Sequence, residues 1–186
     1  MPRFVLALSL QKMEKSIRKE FFAHRNGVVA DALRHAGDPH QVIMGCQLAD
    51  VIAIASRYEK SVSLAQTLWE DFQHRECRLA APMLYPVEEF TMETAIEWCQ
   101  SMESVEIADV LCHRLLRHLD YAPRLWETLR ESQKTLVRYC GYRLLLNLLL
   151  MNRIEKTAEL RSAIEQELAT AQPPLRQVLV SIAEEL

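Results

Sequence analysis

A chain of 186 residues with only 4 glycines offers the backbone few places to turn through the left-handed region. Tight hairpins depend on such places, so a sheet-rich fold is disfavoured from the outset. The residues that dominate instead, Leu, Ala, Glu, Arg and Gln, are good helix formers. No stretch alternates apolar and polar with the period of two that a half-buried strand requires. The pattern therefore predicts an all-α protein, and 49% hydrophobic residues suffice for a core in a chain of this length.

Helix starts and stops recur at short intervals. A first helix is expected over about Gln11 to His24, broken near Arg25-Asn26-Gly27 before a second reaching His35. Gly37-Asp38-Pro39 reads as a stop and restart, with Asp38 as N-cap and Pro39 in the first helical turn. Gly45 interrupts the next stretch. Further helices are expected near Ala49–Tyr58, Ser61–Phe72, Arg75–Leu84, Met92–Met102, Val105–Leu119, Pro123–Ser132, Thr135–Met151, Ile154–Ala169 and Pro174–Glu185. Loops of two to six residues fit antiparallel neighbours. Trp69, Trp98 and Trp126 are spaced by 29 and 28 residues, close to the length of one helix pair. That spacing suggests an α-solenoid of HEAT-like pairs, an alpha-alpha superhelix forming one domain over residues 1–186.

The net charge is −3, which argues mildly against a dedicated duplex-DNA binder. Distribution matters more than the sum. Arg130, Lys134, Arg138, Arg143, Arg153, Lys156 and Arg161 concentrate positive charge in the C-terminal half. The five cysteines, Cys46, Cys77, Cys99, Cys112 and Cys140, are odd in number and lack C-x-x-C spacing. They read as reduced core thiols in a reducing compartment. Phe4 to Leu10 is apolar but too short to span a membrane, and it lacks a basic flank and a cleavage site. The expectation is a cytoplasmic protein without a membrane partner.

No nucleotide-binding loop, H-E-x-x-H or G-x-S-x-G is present. Cys112 and His113 are adjacent, so a helix points them about 100° apart, which suits a shared metal poorly. No metal and no cofactor are expected. One acid stands out. Val105, Ala108, Leu111, Cys112, Leu115, Leu116 and Leu119 form one apolar stripe, and Asp109 falls at its edge. An acid there is either half-buried and paired or lines a groove, with His113 and Arg114 as local partners.

Around that acid the residues resemble a family. Ser104-Val105-Glu106-Ile107-Ala108-Asp109-Val110-Leu111-Cys112 is similar to the S-W-D-x-C-D-x-L-C segment of the HEAT-like alkylpurine DNA glycosylases, the DNA alkylation repair family. Leu136-Val137-Arg138-Tyr139-Cys140-Gly141-Tyr142 resembles that family's W-V-R-R-x-G-F segment. Upstream, Leu68-Trp69 followed by His74-Arg75-Glu76-Cys77-Arg78-Leu79-Ala80 resembles its L-W…H-E-x-R-L-L-A stretch, and Ala49 to Tyr58 a worn P-D-L-R-x-I-A-K-R-Y. The resemblance implies a repeat core over residues 45–151, flanked by N-terminal helices in 1–44 and C-terminal capping helices in 152–186.

The family's chemistry is release of cationic N3- or N7-alkylpurines from DNA. A carboxylate near the sugar stabilises the oxocarbenium charge that develops as the glycosidic bond breaks. By resemblance Asp109 is the catalytic acid, and Arg138 with its basic neighbours Lys134 and Arg143 would hold the DNA backbone. The departures are as informative. The tryptophan four residues before the acid is Val105, the one opening the later segment is Leu136, and the second arginine is Tyr139. No Trp, Tyr or Phe occurs after Tyr142. The sequence thus predicts a relative of the DNA glycosylases with weakened or lost catalysis and alkylated duplex DNA as the candidate partner. The alternative is a non-catalytic HEAT-like scaffold that binds a protein or nucleic acid.

Overall fold

A computed structural model describes residues 2–186, with side chains from Leu8 onward; residues 4–7 of the apolar opening therefore have no described side chains. Eleven α-helices are seen among the described residues: α1 (Pro2–Ala23), α2 (Gly27–His35), α3 (Leu48–Ala55), α4 (Val62–Trp69), α5 (Arg75–Leu84), α6 (Met92–Gln100), α7 (Val105–Arg114), α8 (Ala122–Arg130), α9 (Thr135–Leu150), α10 (Ala158–Thr170) and α11 (Leu175–Glu185). Short 3-10 turns occur at Val87–Glu89 and Leu116–His118. No strand is present among the described residues, apart from one isolated bridge between Val42 and His74. The all-α expectation holds. No described helix is long and apolar enough to cross a membrane.

The chain divides into two compact units, one ending at Glu89 and the other running Phe90–Leu186. In the first unit α4 packs on α5, and α1 lies against α3 and α4. In the second, α9 packs against α7, α8 and α11. The reason is compositional. Within Thr135–Leu150 most side chains are buried, including Val137, Tyr139, Cys140, Tyr142, Leu144, Leu145, Leu148 and Leu149. A helix apolar nearly all round must be enclosed rather than laid on a surface. Gly141 allows the closest approach, because a Cβ there would sit 2.9 Å from the Arg130 nitrogen and from Leu129 Cβ at the end of α8. Trp69, Trp98 and Trp126 fall on the alternate helices α4, α6 and α8, and all are buried. Trp98 stacks edge-on against Phe90 at 5.1 Å, and Trp126 faces Tyr142 at 6.3 Å.

Two expectations are corrected. No helix restarts at Pro39. Asp38 does not cap one; its Oδ1 accepts from the His40 backbone N–H at 3.0 Å and contacts His40 Nδ1 at 2.7 Å, closing a local turn. Residues 36–47 form an irregular connection, fastened by Val42 N–H to Gln73 C=O at 2.8 Å and Arg75 N–H to Val42 C=O at 3.1 Å. The second correction is at α7, which stops at Arg114 instead of running to Leu119. The break is stabilised from outside. Arg153 donates to the Arg117 carbonyl at 2.5 Å and the Leu119 carbonyl at 2.9 Å, supplying partners for carbonyls beyond the helix end.

The irregular connection is held by a buried acid. Glu76, 1% exposed, accepts from the backbone N–H groups of Met44 (3.2 Å), Gly45 (3.0 Å) and Cys46 (3.3 Å), and from Arg75 Nη1 at 3.0 Å. Arg75 also donates to the Cys46 carbonyl. A buried carboxylate is tolerable only with its acceptor sites filled, and here they are. Gly45 has φ +77°, and a Cβ on it would lie 2.2 Å from the Asn26 carbonyl oxygen. All five cysteines are buried and unbridged. Three of them converge in the second unit: Cys140 Sγ lies 3.4 Å from Cys112 Sγ and 3.7 Å from Cys99 Sγ.

Two outcomes are expected. Glu76→Ala removes the acceptor of three backbone amides and the carboxylate partner of the buried Arg75, and should cost about 3–5 kcal/mol in urea unfolding, while the exposed Glu165→Ala changes stability by no more than about 0.5 kcal/mol. Ellman's reagent should label none of the five thiols rapidly in the native protein and all of them once it is unfolded; fast native labelling of several would refute the burial.

Candidate functional site

Ser104 begins the element that carries the candidate acid. Its Oγ accepts from the Ile107 N–H at 3.2 Å and caps α7, so Val105 opens the helix and Asp109 falls in its second turn. One face of α7 (Ile107, Ala108, Val110, Leu111, Cys112) is buried, and Asp109 sits beside it with its side chain 35% exposed. The edge position read from the sequence is what the fold produces: half-buried and paired.

The partners come from α9. Tyr139 Oη donates to Asp109 Oδ1 at 2.7 Å. Arg143 Nε lies 3.1 Å from the same oxygen as an ion pair, although its N–H is not aimed well enough to count as a hydrogen bond. Residues 139 and 143 are four apart, so one face of α9 presents both. Tyr139 is itself buried, and burial together with the bond to Asp109 pushes its phenol far above the ordinary tyrosine value. It is a permanent donor at neutral pH.

The remaining residues singled out from the sequence go elsewhere. Arg138, about 100° around α9 from Tyr139, forms an ion pair and hydrogen bond with Glu167 of α10. Lys134, at the N-terminus of α9, donates to the Gln100 carbonyl at 3.4 Å. Asp109 and Arg143 therefore share one site, whereas Arg138 and Lys134 each have another partner. Three of the other C-terminal cations are engaged as well, while Arg161 is exposed. Lys156 pairs with Glu185 at 2.5 Å, Arg153 holds the two carbonyls after α7, and the Arg130 guanidinium stands 5.0 Å over the Trp126 ring.

The sequence offered His113 and Arg114 as local partners of Asp109 and missed Tyr139 and Arg143, which pair with it from α9. His113 lies one turn beyond Asp109, and its pKa is lowered by burial and then by the cations of Arg117, Arg114, Arg143 and His118. Arg117 Nε in turn donates to His118 Nε2 at 3.2 Å. One spacing is legible in the sequence: Asp109, His113 and Arg117 recur every four residues. What it could not show was that α7 ends at Arg114 and that Arg143 closes the group from α9. Among the described residues, no cluster of three or more His, Cys, Asp or Glu side chains is disposed to hold a metal ion. Chemically the site is a carboxylate with one oxygen already engaged, bordered by cations. In an NMR pH titration His113 should have its midpoint below the ordinary histidine value and be neutral at pH 7. Its imidazole should titrate higher once Arg117→Gln removes the first of the neighbouring cations.

Comparison with known proteins bears on the fold and the family. A solved structure described as "a new family of proteins related to the HEAT-like repeat DNA glycosylases with affinity for branched DNA structures" superposes with a TM-score of 0.80 at 13% identity, covering 92% of this chain and 74% of that chain. At that identity the likeness establishes the fold, a HEAT-like helical repeat. No curated protein matches the sequence. The profile of the DNA alkylation repair enzyme family matches residues 17–176, most of the chain, and the chain belongs to that family.

Proposed function

We propose that this protein engages DNA through its HEAT-like scaffold without excising bases. The observation that carries the reading is the state of Asp109. To stabilise an oxocarbenium ion, a carboxylate has to present uncompensated negative charge to the sugar. Here Oδ1 accepts from Tyr139, and the Arg143 cation stands 3.1 Å away. A nearby pair of opposite charges presents a dipole, whose field falls off faster than that of a lone charge. Loss of one electrostatic group in an active site costs on the order of a hundredfold or more in rate. This chain also has Val105 and Leu136, which offer no ring face to a cationic nucleotide.

What remains supports binding rather than chemistry. Family membership points to DNA, and the structurally similar protein is described as having affinity for branched DNA structures. Recognition of that kind rests on phosphate contacts and DNA shape, neither of which needs a free catalytic acid. Excision and binding are separable in experiment. Incubated with methylated DNA, the protein should release 7-methylguanine at the background rate, with Asp109→Asn indistinguishable from wild type. In a mobility-shift assay at low salt it should bind a four-way junction more tightly than a linear duplex of equal length. Robust release that Asp109→Asn abolishes would overturn the reading.

A further inference from the structure

Arg138, Lys134 and Arg143, the cations expected from the sequence to meet phosphate, have partners inside the protein. Three lysines that share one face of α1 have none among the described residues. At 100° per residue, Leu8, Lys12, Lys15 and Lys19 fall within about 60° of one another on the helix wheel. Ile17 and Phe21, both fully buried, occupy the opposite side. The stripe therefore points directly away from the first unit's core. Lys12, Lys15 and Lys19 are exposed, and among the described residues none has an ion pair or hydrogen-bond partner. They line a groove of about 400 Å³ with Leu8, Gln11 and Ser16.

The acids of α1 are arranged the other way. Glu14 and Glu20 lie on the flanks toward the core, where each is held. Glu14 pairs with Arg18 at 2.7 Å, and Arg18 reaches Asp71 at 2.6 Å. Glu20 accepts from Tyr58 Oη and Arg57 Nη1, both at 2.6 Å. No acid precedes Glu14 in the chain. An ordinary exposed helix face intersperses both signs; this one carries positive charge only. Lys12 to Lys19 spans about 10 Å of helix axis, a length over which duplex DNA presents roughly six phosphate charges. Ile17 and Phe21 are turned into the core, while Leu8 and Phe22 are exposed beside the lysines, so a lipid surface has to be tested against DNA.

We infer that Lys12, Lys15 and Lys19 form a phosphate-contact site for the nucleic-acid backbone, located in the first unit and separate from the Asp109 site in the second. The choice of nucleic acid over other polyanions rests on the DNA-binding reading above; the stripe itself does not depend on Asp109. Its contacts are sequence-independent and sensitive to salt. They also explain how a chain of net charge −3 can hold DNA, because attraction at short range is set by the local stripe rather than by the sum.

The test uses the full chain and a fluorescent 20-base-pair duplex, with affinity followed by anisotropy between 50 and 200 mM salt. For K12Q/K15Q/K19Q, affinity at 50 mM should fall at least about tenfold, and the slope of log affinity against log salt should become shallower by about 2 to 3. K12R/K15R/K19R should retain both. Thermal unfolding of the glutamine variant should match wild type, since these side chains touch nothing in the core. Wild-type binding with an unchanged glutamine variant would overturn the stripe while leaving the DNA-binding reading intact. Absence of wild-type binding at 50 mM would overturn both. Efficient excision would overturn only the loss of catalysis. A parallel arm with phosphatidylserine vesicles separates the two phosphate sources: vesicle binding lost in the glutamine variant, with DNA affinity unchanged, would also refute the assignment.

Discussion

The enclosure of α9 is the constraint on which the second unit depends. A sixteen-residue helix with apolar side chains nearly all round is stable in water only if other helices cover it. Burial of that many leucines provides most of the driving force there, at roughly 25 cal/mol per Å² of apolar surface. Enclosure dictates the neighbours: α8 is admitted close by Gly141, α11 covers another side, and α7 a third. Packing α7 against α9 then sets the chemistry. Tyr139 and Arg143 are carried on the face that meets Asp109, and Cys140 is brought against Cys112 and Cys99. The site is a consequence of core packing rather than an addition to it.

In the first unit the organising interaction is polar. Residues 36–47 have no helical ladder to satisfy their amides, and Glu76 of α5 does so across a separation of about thirty residues. The cost of burying a carboxylate is offset by three amide donors and the adjacent Arg75. Around it lie further buried charges, including Arg78, whose guanidinium stacks 3.7 Å over Trp69 and 4.7 Å over Phe72 while donating to the Trp69 carbonyl. The segment that resembles the family's H-E-x-R stretch is thus a structural fastening in this protein.

Much of the helical framework could be read directly. α5 runs over Arg75–Leu84, and α9 over Thr135–Leu150 against an expected end at Met151, because strong apolar periodicity and nearby turn residues act locally. The failures have a common cause. Gly37-Asp38-Pro39 carries the composition of a helix start, but residues 40–47 are drawn into an irregular path by the distant Glu76 and by backbone bonds to residues 73–75. α7 carries a periodicity that would take it to Leu119, but Arg153 stabilises a break after Arg114. Local preference yielded in both places to a partner about thirty residues or more away.

The same division runs through the site. The sequence by itself determined that the chain is helical, that Asp109 stands at the edge of an apolar stripe, and that the aromatic residues expected around such an acid are absent at 105 and 136. These come from residue identity and from helix period, both local properties. Only the tertiary structure decided which charges are compensated. Arg138, Arg143, Lys134 and Lys156 read as a basic cluster along the chain, yet folding gives Arg138 to Glu167, Arg143 to Asp109, Lys134 to the Gln100 carbonyl and Lys156 to Glu185. Lys12, Lys15 and Lys19 look ordinary in sequence, yet folding turns the acids of α1 inward and leaves these three facing water together. The physical reason is that charge compensation acts over a few ångströms in space, whatever the distance along the chain, so it is settled only when the helices have packed.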